Sequence, residues 1–253
     1  MQVILVPGWV AGGQQQYMTS LLVNGTVALD AGGLGLYRTP REQARVKHLF
    51  LSHSHQDHIA SLPMFLDNAY QGDGDCVTVY AGAAVLDTLR SDVFNGRVWP
   101  DFIQLSTERA PYLKLRQIEA GETVEAGGLR VTAVPVRHTV PTFGYIVEDG
   151  TSAFVFSADT APTEEIWQRA NRTPNLKLVF LEVTFPDELA WLADVAKHLT
   201  PSLFLAEARK LQQPVTVIAI HLHPRHRRQV IRELRALKLT NLQIGRFDWP
   251  YEF

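Results

Sequence analysis

The chain has 253 residues, with 24 Lys+Arg, 26 Asp+Glu and a formal net charge of −2. That length suits one large domain or two small ones, and the near-neutral charge argues against a nucleic-acid binder held by a global positive field, though a local basic patch stays open. A 46% hydrophobic and 20% charged composition is that of a folded globular protein, and the single cysteine, Cys76, excludes an intrachain disulfide framework and a cysteine-built zinc finger.

In chain order, residues 2–6, 21–23 and 27–30 read as short strands, and Ala31-Gly32-Gly33 as a turn. Residues 46–51 form an apolar run with His48 as its polar break, which fits a buried strand. It leads into Ser52-His53-Ser54-His55-Gln56-Asp57-His58, and residues 59–69 then have helical spacing with Pro63 near the first turn. Residues 77–81 predict a strand and 84–93 a helix, followed by an irregular stretch over 95–111. Strands are expected at 129–136, 143–147 and 153–156. The last third alternates more cleanly: helix 163–171, strand 178–181, helix 187–195, strand 215–220 and amphipathic helix 225–237. Thr200 as N-cap and Pro201 at N1 start a further helix over 202–211. No repeat or linker is visible, so a single layered α/β domain over 1–253 is expected. The N-terminal apolar run lacks a basic region and ends at Pro7-Gly8, and no stretch approaches the roughly 18 apolar residues of a membrane span. A cytoplasmic protein without a membrane partner is therefore expected.

The histidines are clustered. His53 and His55, if they continue the strand, point the same way, and Asp57 and His58 follow where the chain turns into a helix. Two strand-face histidines can grip one metal, and the displaced Asp and His can reach a second. Further ligand-competent side chains sit just past other apolar strands: His138, Asp159 and His221. Imidazole and carboxylate suit zinc and also manganese or iron. A polar surface loop that happens to hold three histidines is the competing explanation of the first cluster.

The string His53-x-His55-x-Asp57-His58, followed by His138, Asp159 and His221, resembles the metallo-β-lactamase-fold hydrolases. The resemblance covers nearly the whole chain and implies a four-layer αββα sandwich with two divalent ions. By that likeness His53, His55 and His138 hold the first ion, Asp57, His58 and His221 the second, and Asp159 bridges them, with a bridging hydroxide as nucleophile.

Residues 181–224 narrow the chemistry. Glu182 ends a strand, His198-Leu199-Thr200 starts a helix, and His221-Leu222-His223-Pro224 follows the next strand. Glu182 can orient and charge His198, which can then stabilise a phosphorane-like transition state and protonate the leaving oxygen. A structural ion pair for Glu182 and an exposed helix start for His198 are the alternatives. Asp57, Glu182 and His198 are the candidate catalytic residues, and His198, Thr200 and His223 the candidate substrate contacts.

This segment resembles the phosphodiesterase branch shared by tRNase Z and the class II cyclic-nucleotide phosphodiesterases. Trp99-Pro100-Asp101-Phe102, Arg137-His138-Thr139-Val140-Pro141, Asp159-Thr160-Ala161-Pro162-Thr163 and Phe185-Pro186-Asp187-Glu188-Leu189 look like the latter. Ala161, Lys197 and His223 depart from the family pattern, and none removes a metal ligand. The resemblance implies hydrolysis of a 3′,5′-cyclic nucleotide to the 5′-monophosphate, and a homodimer. A tRNase Z-like endonuclease is the alternative enzyme, but residues 71–130 lack the Gly/Pro-rich basic arm expected to hold tRNA. A non-catalytic or redox metal module is disfavoured because His55 is retained and no ligand is missing. Pro224-Arg225-His226-Arg227-Arg228 reads as a solvated helix face that could also contact phosphate. Trp99 and Phe102 could stack a purine, with packing as their competing role.

Overall fold

The computed structural model describes residues 1–8, 18–72 and 74–253. Fourteen strands form: β1 Gln2–Leu5, β2 Leu21–Val23, β3 Val27–Leu29, β4 His48–Phe50, β5 Val77–Ala81, β6 Leu113–Gln117, β7 Thr123–Ala126, β8 Leu129–Val136, β9 Thr142–Glu148, β10 Ala153–Phe156, β11 Leu176–Glu182, β12 Thr216–Ile220, β13 Leu242–Ile244 and β14 Pro250–Glu252. The α-helices are α1 Pro40–Gln43, α2 Gln56–Ile59, α3 Leu62–Ala69, α4 Ala83–Thr88, α5 Phe102–Leu105, α6 Glu165–Arg172, α7 Ala190–Ala196, α8 Pro201–Ala208 and α9 Arg227–Ala236.

Two compact units result. One comprises Gln2–Glu119 and Phe247–Glu252, the other Ala120–Arg246 with Met1 and Phe253. The first holds a seven-stranded sheet in the order β14-β1-β2-β3-β4-β5-β6. Pairing is antiparallel from β14 to β3 and parallel from β3 to β6. Its core gathers Leu49 and Leu51, Phe65 and Leu66 of α3, and Val79, Leu86 and Phe94. The second holds a seven-stranded sheet in the order β13-β12-β11-β10-β9-β8-β7. Here pairing is antiparallel from β7 to β10 and parallel from β10 to β13. Val155, Trp167, Val179, Phe204 and Val217 pack its core. Each mixed sheet thus changes pairing sense once, at β3 and at β10, and open α/β sheets gather sites at the carboxyl ends of strands near such a change. The α/β class expected from the sequence is observed.

Local differences have physical causes. The predicted helix over 59–69 is split, because Pro63 falls in the first turn of α3, a fresh helix after Ser61, while α2 closes its own turn. The helix expected over 84–93 ends as α at Thr88 and continues as a π-helical turn over Leu89–Val93. Strand β4 stops at Phe50, so His53 and His55 lie beyond the sheet ladder rather than on it. Phe102 and Trp99 serve packing: Phe102 is buried and stacks on Tyr112 at 4.4 Å, with Trp99 edge-on to it at 6.4 Å. No helix among the described residues is long and apolar enough to cross a membrane.

The β9–β10 hairpin turns at Asp149-Gly150, where Gly150 takes a φ of +87°. Asp149 Oδ1 accepts hydrogen bonds from Thr151 N at 2.9 Å, Ser152 N at 2.8 Å and Thr151 Oγ1 at 2.8 Å. Burial alone would raise this carboxyl pKa, but the backbone and hydroxyl donors outweigh it and hold the group well below the usual carboxylate range. A pKa depressed by folding stabilises the fold above the unfolded value of about 4 and is lost as pH falls below it. Asp149→Ala is therefore expected to cost about 1–2 kcal/mol at pH 7. Urea denaturation should show a smaller difference at pH 2.5, and an equal loss at both pH values would refute the account.

Candidate active site

In the first unit the chain leaves β4 toward the carboxylate of Asp30, which follows β3 at a φ of 59°. Asp30 is fully buried. Its Oδ1 accepts from Ser52 N at 2.7 Å, and its Oδ2 accepts from Ser52 Oγ at 2.7 Å and from His58 Nδ1 at 2.7 Å. Ser52 Oγ lies 2.9 Å from His53 Nδ1. One carboxylate and one hydroxyl thus anchor two of the predicted ligands through Nδ1. His53 and His55 bring their rings together at 4.7 Å between centroids, and His58 Nε2 lies 3.8 Å from Asp57 Oδ2.

The turn carrying these residues is clamped by backbone. Thr19 N donates to the Asp57 carbonyl at 2.7 Å and Ala31 N to the His58 carbonyl at 2.7 Å. A Cβ at Gly32 would sit 1.9 Å from the Asp57 carbonyl oxygen, so only glycine allows this approach. Gly32 and Gly33 therefore belong to a turn that braces the histidine string, in line with the turn expected at Ala31-Gly32-Gly33.

In the second unit, His138 follows β8, Asp159 follows β10, Glu182 ends β11 and His221 follows β12. Asp159 is buried and points an oxygen at each of two imidazoles: Oδ1 is 3.4 Å from His221 Nε2 and Oδ2 is 3.9 Å from His138 Nε2. These separations are long for a shared proton. They are near the edge of a tetrahedron with bonds of about 2.1 Å, roughly 3.4 Å, as between two ligands of one cation. His138 Nδ1 donates to the Lys197 carbonyl at 3.1 Å, and His221 Nδ1 lies 2.9 Å from Thr184 Oγ1. His53, His58, His138 and His221 are thus all anchored through Nδ1, which fixes the tautomer that leaves Nε2 able to ligate. The donor set fits divalent metal ions on that ground.

Beside it, Glu182, His198 and His221 bring ligand atoms within 4.8 Å of one another. His198 Nδ1 donates to Glu182 Oε1 at 2.9 Å. Burial disfavours the charged ring, but the Glu182 carboxylate, by charge and hydrogen bond, and Asp159 outweigh it and raise the His198 pKa. Thr184 is a hub that sequence reasoning missed. Its hydroxyl donates to Glu182 Oε2 at 3.0 Å and meets His198 Nδ1 at 3.2 Å as well as His221. Both Ala158, at φ 51°, and His221, at φ 59°, hold left-handed backbone conformations, which non-glycine residues adopt mainly at over-determined sites.

The remaining predicted residues are placed as follows. Thr200 is buried, and its hydroxyl caps α8 by accepting from Leu203 N. His223 stacks on Phe185 at 5.6 Å and lies 5.3 Å from His226, the N-cap of α9. Its Nδ1 is buried without a hydrogen-bond partner among the described residues, and burial with the neighbouring cationic groups lowers its pKa. His48 lies within β4 with Nδ1 3.1 Å from Tyr80 Oη, and Cys76 is buried.

Comparison with known proteins agrees with this layout. A family model described as "Beta-lactamase superfamily domain" matches residues 26–222. A probable 3′,5′-cyclic-nucleotide phosphodiesterase of Yersinia pestis is 27% identical over 232 residues, 82% of this chain and 65% of that protein. Ribonuclease BN of Erwinia tasmaniensis is 28% identical over 115 residues, 45% of this chain and 35% of that protein. The chain therefore spans just under two thirds of the first relative and about a third of the second. The crystal structure of unliganded yeast PDE1 shares the fold, with a TM-score of 0.77, 17% identity and 96% of each chain covered. With the family model spanning most of the chain and the histidine–aspartate string inside it, this protein belongs to the beta-lactamase superfamily and has the metallo-β-lactamase fold.

Proposed function

We propose that the protein is a dinuclear metal-dependent phosphodiesterase, a hydrolase that converts 3′,5′-cyclic AMP or GMP to the 5′-monophosphate. The observation that carries this reading is the Glu182–His198 pair, joined through Thr184 to His221 and set beside Asp159. The pair supplies a largely buried imidazole charged by a carboxylate. A phosphodiesterase uses one to bind phosphate charge and release an alkoxide.

In this reading His53, His55 and His138 hold one ion, Asp57, His58 and His221 the other, and Asp159 serves both. A single catalytic domain over residues 1–253 is part of the proposal. Zinc suits the imidazole-rich set best, and manganese or iron are the alternatives. Two divalent ions, when bound, lower the pKa of water and neutralise phosphate charge. Asp57 acts as both ligand and catalytic residue. Glu182 accepts the Nδ1 proton of His198 and aims Nε2, which carries the proton for the departing ribose 3′-oxygen. Thr200 contributes by fixing the start of α8, whose positive end favours a phosphate, and His223 contacts the substrate from the β12 end. The identity to the Yersinia protein supports a cyclic-nucleotide substrate. Buried, unpaired Cys76 suits a cytoplasmic setting, and a homodimer is part of the proposal. The second reading, an endoribonuclease, is supported by the likeness to ribonuclease BN.

A hydrolysis screen tests this. It compares cyclic AMP, cyclic GMP, bis(p-nitrophenyl) phosphate, a tRNA precursor, a β-lactam and a thioester. Turnover of a cyclic nucleotide is expected, with Asp57→Ala abolishing it. His198→Ala should lower kcat by about 10²–10⁴ while metal content is retained. Activity confined to the β-lactam and thioester would refute the phosphodiester reading, and tRNA cleavage alone would establish the second one.

A further inference from the structure

The first unit holds a cavity of about 160 Å³ that none of the predicted site residues lines. It lies between the β2–β3 turn and the stretch from Leu34 to Val46. Its buried lining is mostly apolar, with Leu22, Leu34, Val46 and the ring of Tyr37. The Tyr37 hydroxyl donates to Asp248 Oδ1, so the one proton of the phenol is already committed. Asn24, Arg38, Glu42 and Arg45 line the same cavity and are exposed.

Acceptors and donors around this cavity are used unequally. Asn24 Oδ1 accepts from Gln2 N at 2.9 Å, and Gln43 Oε1 from Asn68 Nδ2 at 3.1 Å. Glu42 Oε2 accepts from Thr39 N at 3.1 Å and from Thr39 Oγ1 at 2.8 Å. By contrast, the Arg45 guanidinium and the Asn24 amide NH2 have no hydrogen-bond or ion-pair partner among the described residues. Arg38 takes a left-handed φ of 61°, with its guanidinium 4.9 Å from the Tyr37 ring centroid and Nη1 3.8 Å from Glu42 Oε1. Such backbone strain persists where the surroundings over-determine it. Two guanidinium groups against one carboxylate leave the lining with an excess of positive charge.

We propose that this cavity binds a single-ring aromatic carboxylate. Its size suits one six-membered ring, since an apolar cavity of roughly 150 Å³ in another protein accepts benzene. The ring covers Leu22, Leu34 and Val46, and the carboxylate meets the unused donors of Arg45 and Asn24. A guanidinium pairs with a planar carboxylate through two parallel hydrogen bonds. A nucleobase matches the volume but not the chemistry, because its N–H groups face a lining whose acceptors are taken, and an unmatched donor is costly to bury. Inorganic phosphate matches the charge and leaves the apolar lining uncovered.

The test is a ligand-detected NMR titration of the full chain with benzoate, with benzamide as its neutral isostere and cytosine as the nucleobase, and with inorganic phosphate as a competitor. Benzoate should bind with a Kd of about 1 mM or tighter, within the range open to so small a ligand. Benzamide should bind about tenfold more weakly, as for a lost charge-assisted hydrogen bond, and phosphate should not displace benzoate. Arg45→Gln should weaken benzoate about tenfold, and R38Q/R45Q should abolish the preference for benzoate over benzamide. Both arginines are exposed, so the thermal melt should be unchanged in either variant. No benzoate binding by wild type, equal binding of benzamide, tighter binding of cytosine, displacement by phosphate, or wild-type benzoate affinity in R38Q/R45Q would overturn the proposal. The last of these would place the carboxylate elsewhere on the protein. Binding is read without turnover, so the outcome is independent of the hydrolysis screen.

Discussion

Asp30→Asn is expected to give a folded protein whose metal affinity is lower by about 10- to 100-fold. Asparagine tolerates the φ of 59° and can still accept from Ser52 N through its oxygen. Its NH2 group then replaces the oxygen that accepts from Ser52 Oγ and His58 Nδ1. Two donors cannot face each other, so His58 shifts its proton to Nε2 and loses the lone pair that would ligate a metal. Asp30→Ala is the harsher change. It leaves the buried Ser52 N and the His58 ring without their acceptor, at about 1–3 kcal/mol each, and is expected to destabilise the fold as well. Competition titration with a zinc chelator, alongside a thermal melt of the metal-free protein, separates the two effects. Wild-type affinity in Asp30→Asn would show that Asp30 only braces the loop and does not set the His58 tautomer.

Asp30 also shows where sequence reading stops. Asp30 reads as the last residue of a short strand before a glycine turn, and its role depends on the parallel pairing of β3 with β4. That long-range pairing carries Ser52 and His58 to its carboxylate. Thr184 is hidden for the same reason, since three partners reach its hydroxyl from β11, the start of α8 and the end of β12. What was legible was the chemistry with local spacing. The His53-x-His55-x-Asp57-His58 string, the Thr200-Pro201 helix start and the 153–156 strand all signal within a few residues.

The strands with no sequence signal share one property. β6, β7, β13 and β14 are the four edge strands of the two sheets. Edge strands pair on one side only and carry charged or exposed side chains, such as Lys114 and Arg116 in β6, so the apolar run that marks a central strand is absent. The ligand-bearing strands were found because none of them is an edge strand and each carries a run of buried apolar positions. Strand β11, for example, is buried at six of its seven positions, which places Glu182 at the end of a strong apolar run.

Asp159→Ala is expected to have the largest effect on chemistry. Asp159 presents one oxygen to His221 and the other to His138 from a buried position after β10. No neighbouring side chain can replace a carboxylate shared in this way. Its loss should reduce hydrolysis by at least about a thousandfold, equal to roughly 4 kcal/mol of transition-state stabilisation. Unchanged circular dichroism would separate this from unfolding. The most direct measurement is the metal content of the purified protein, determined by mass spectrometry after gel filtration and compared with turnover on the same sample. The account predicts two divalent ions per chain in active wild type and fewer than one in Asp159→Ala. A fully active wild-type protein with one ion or none would contradict it.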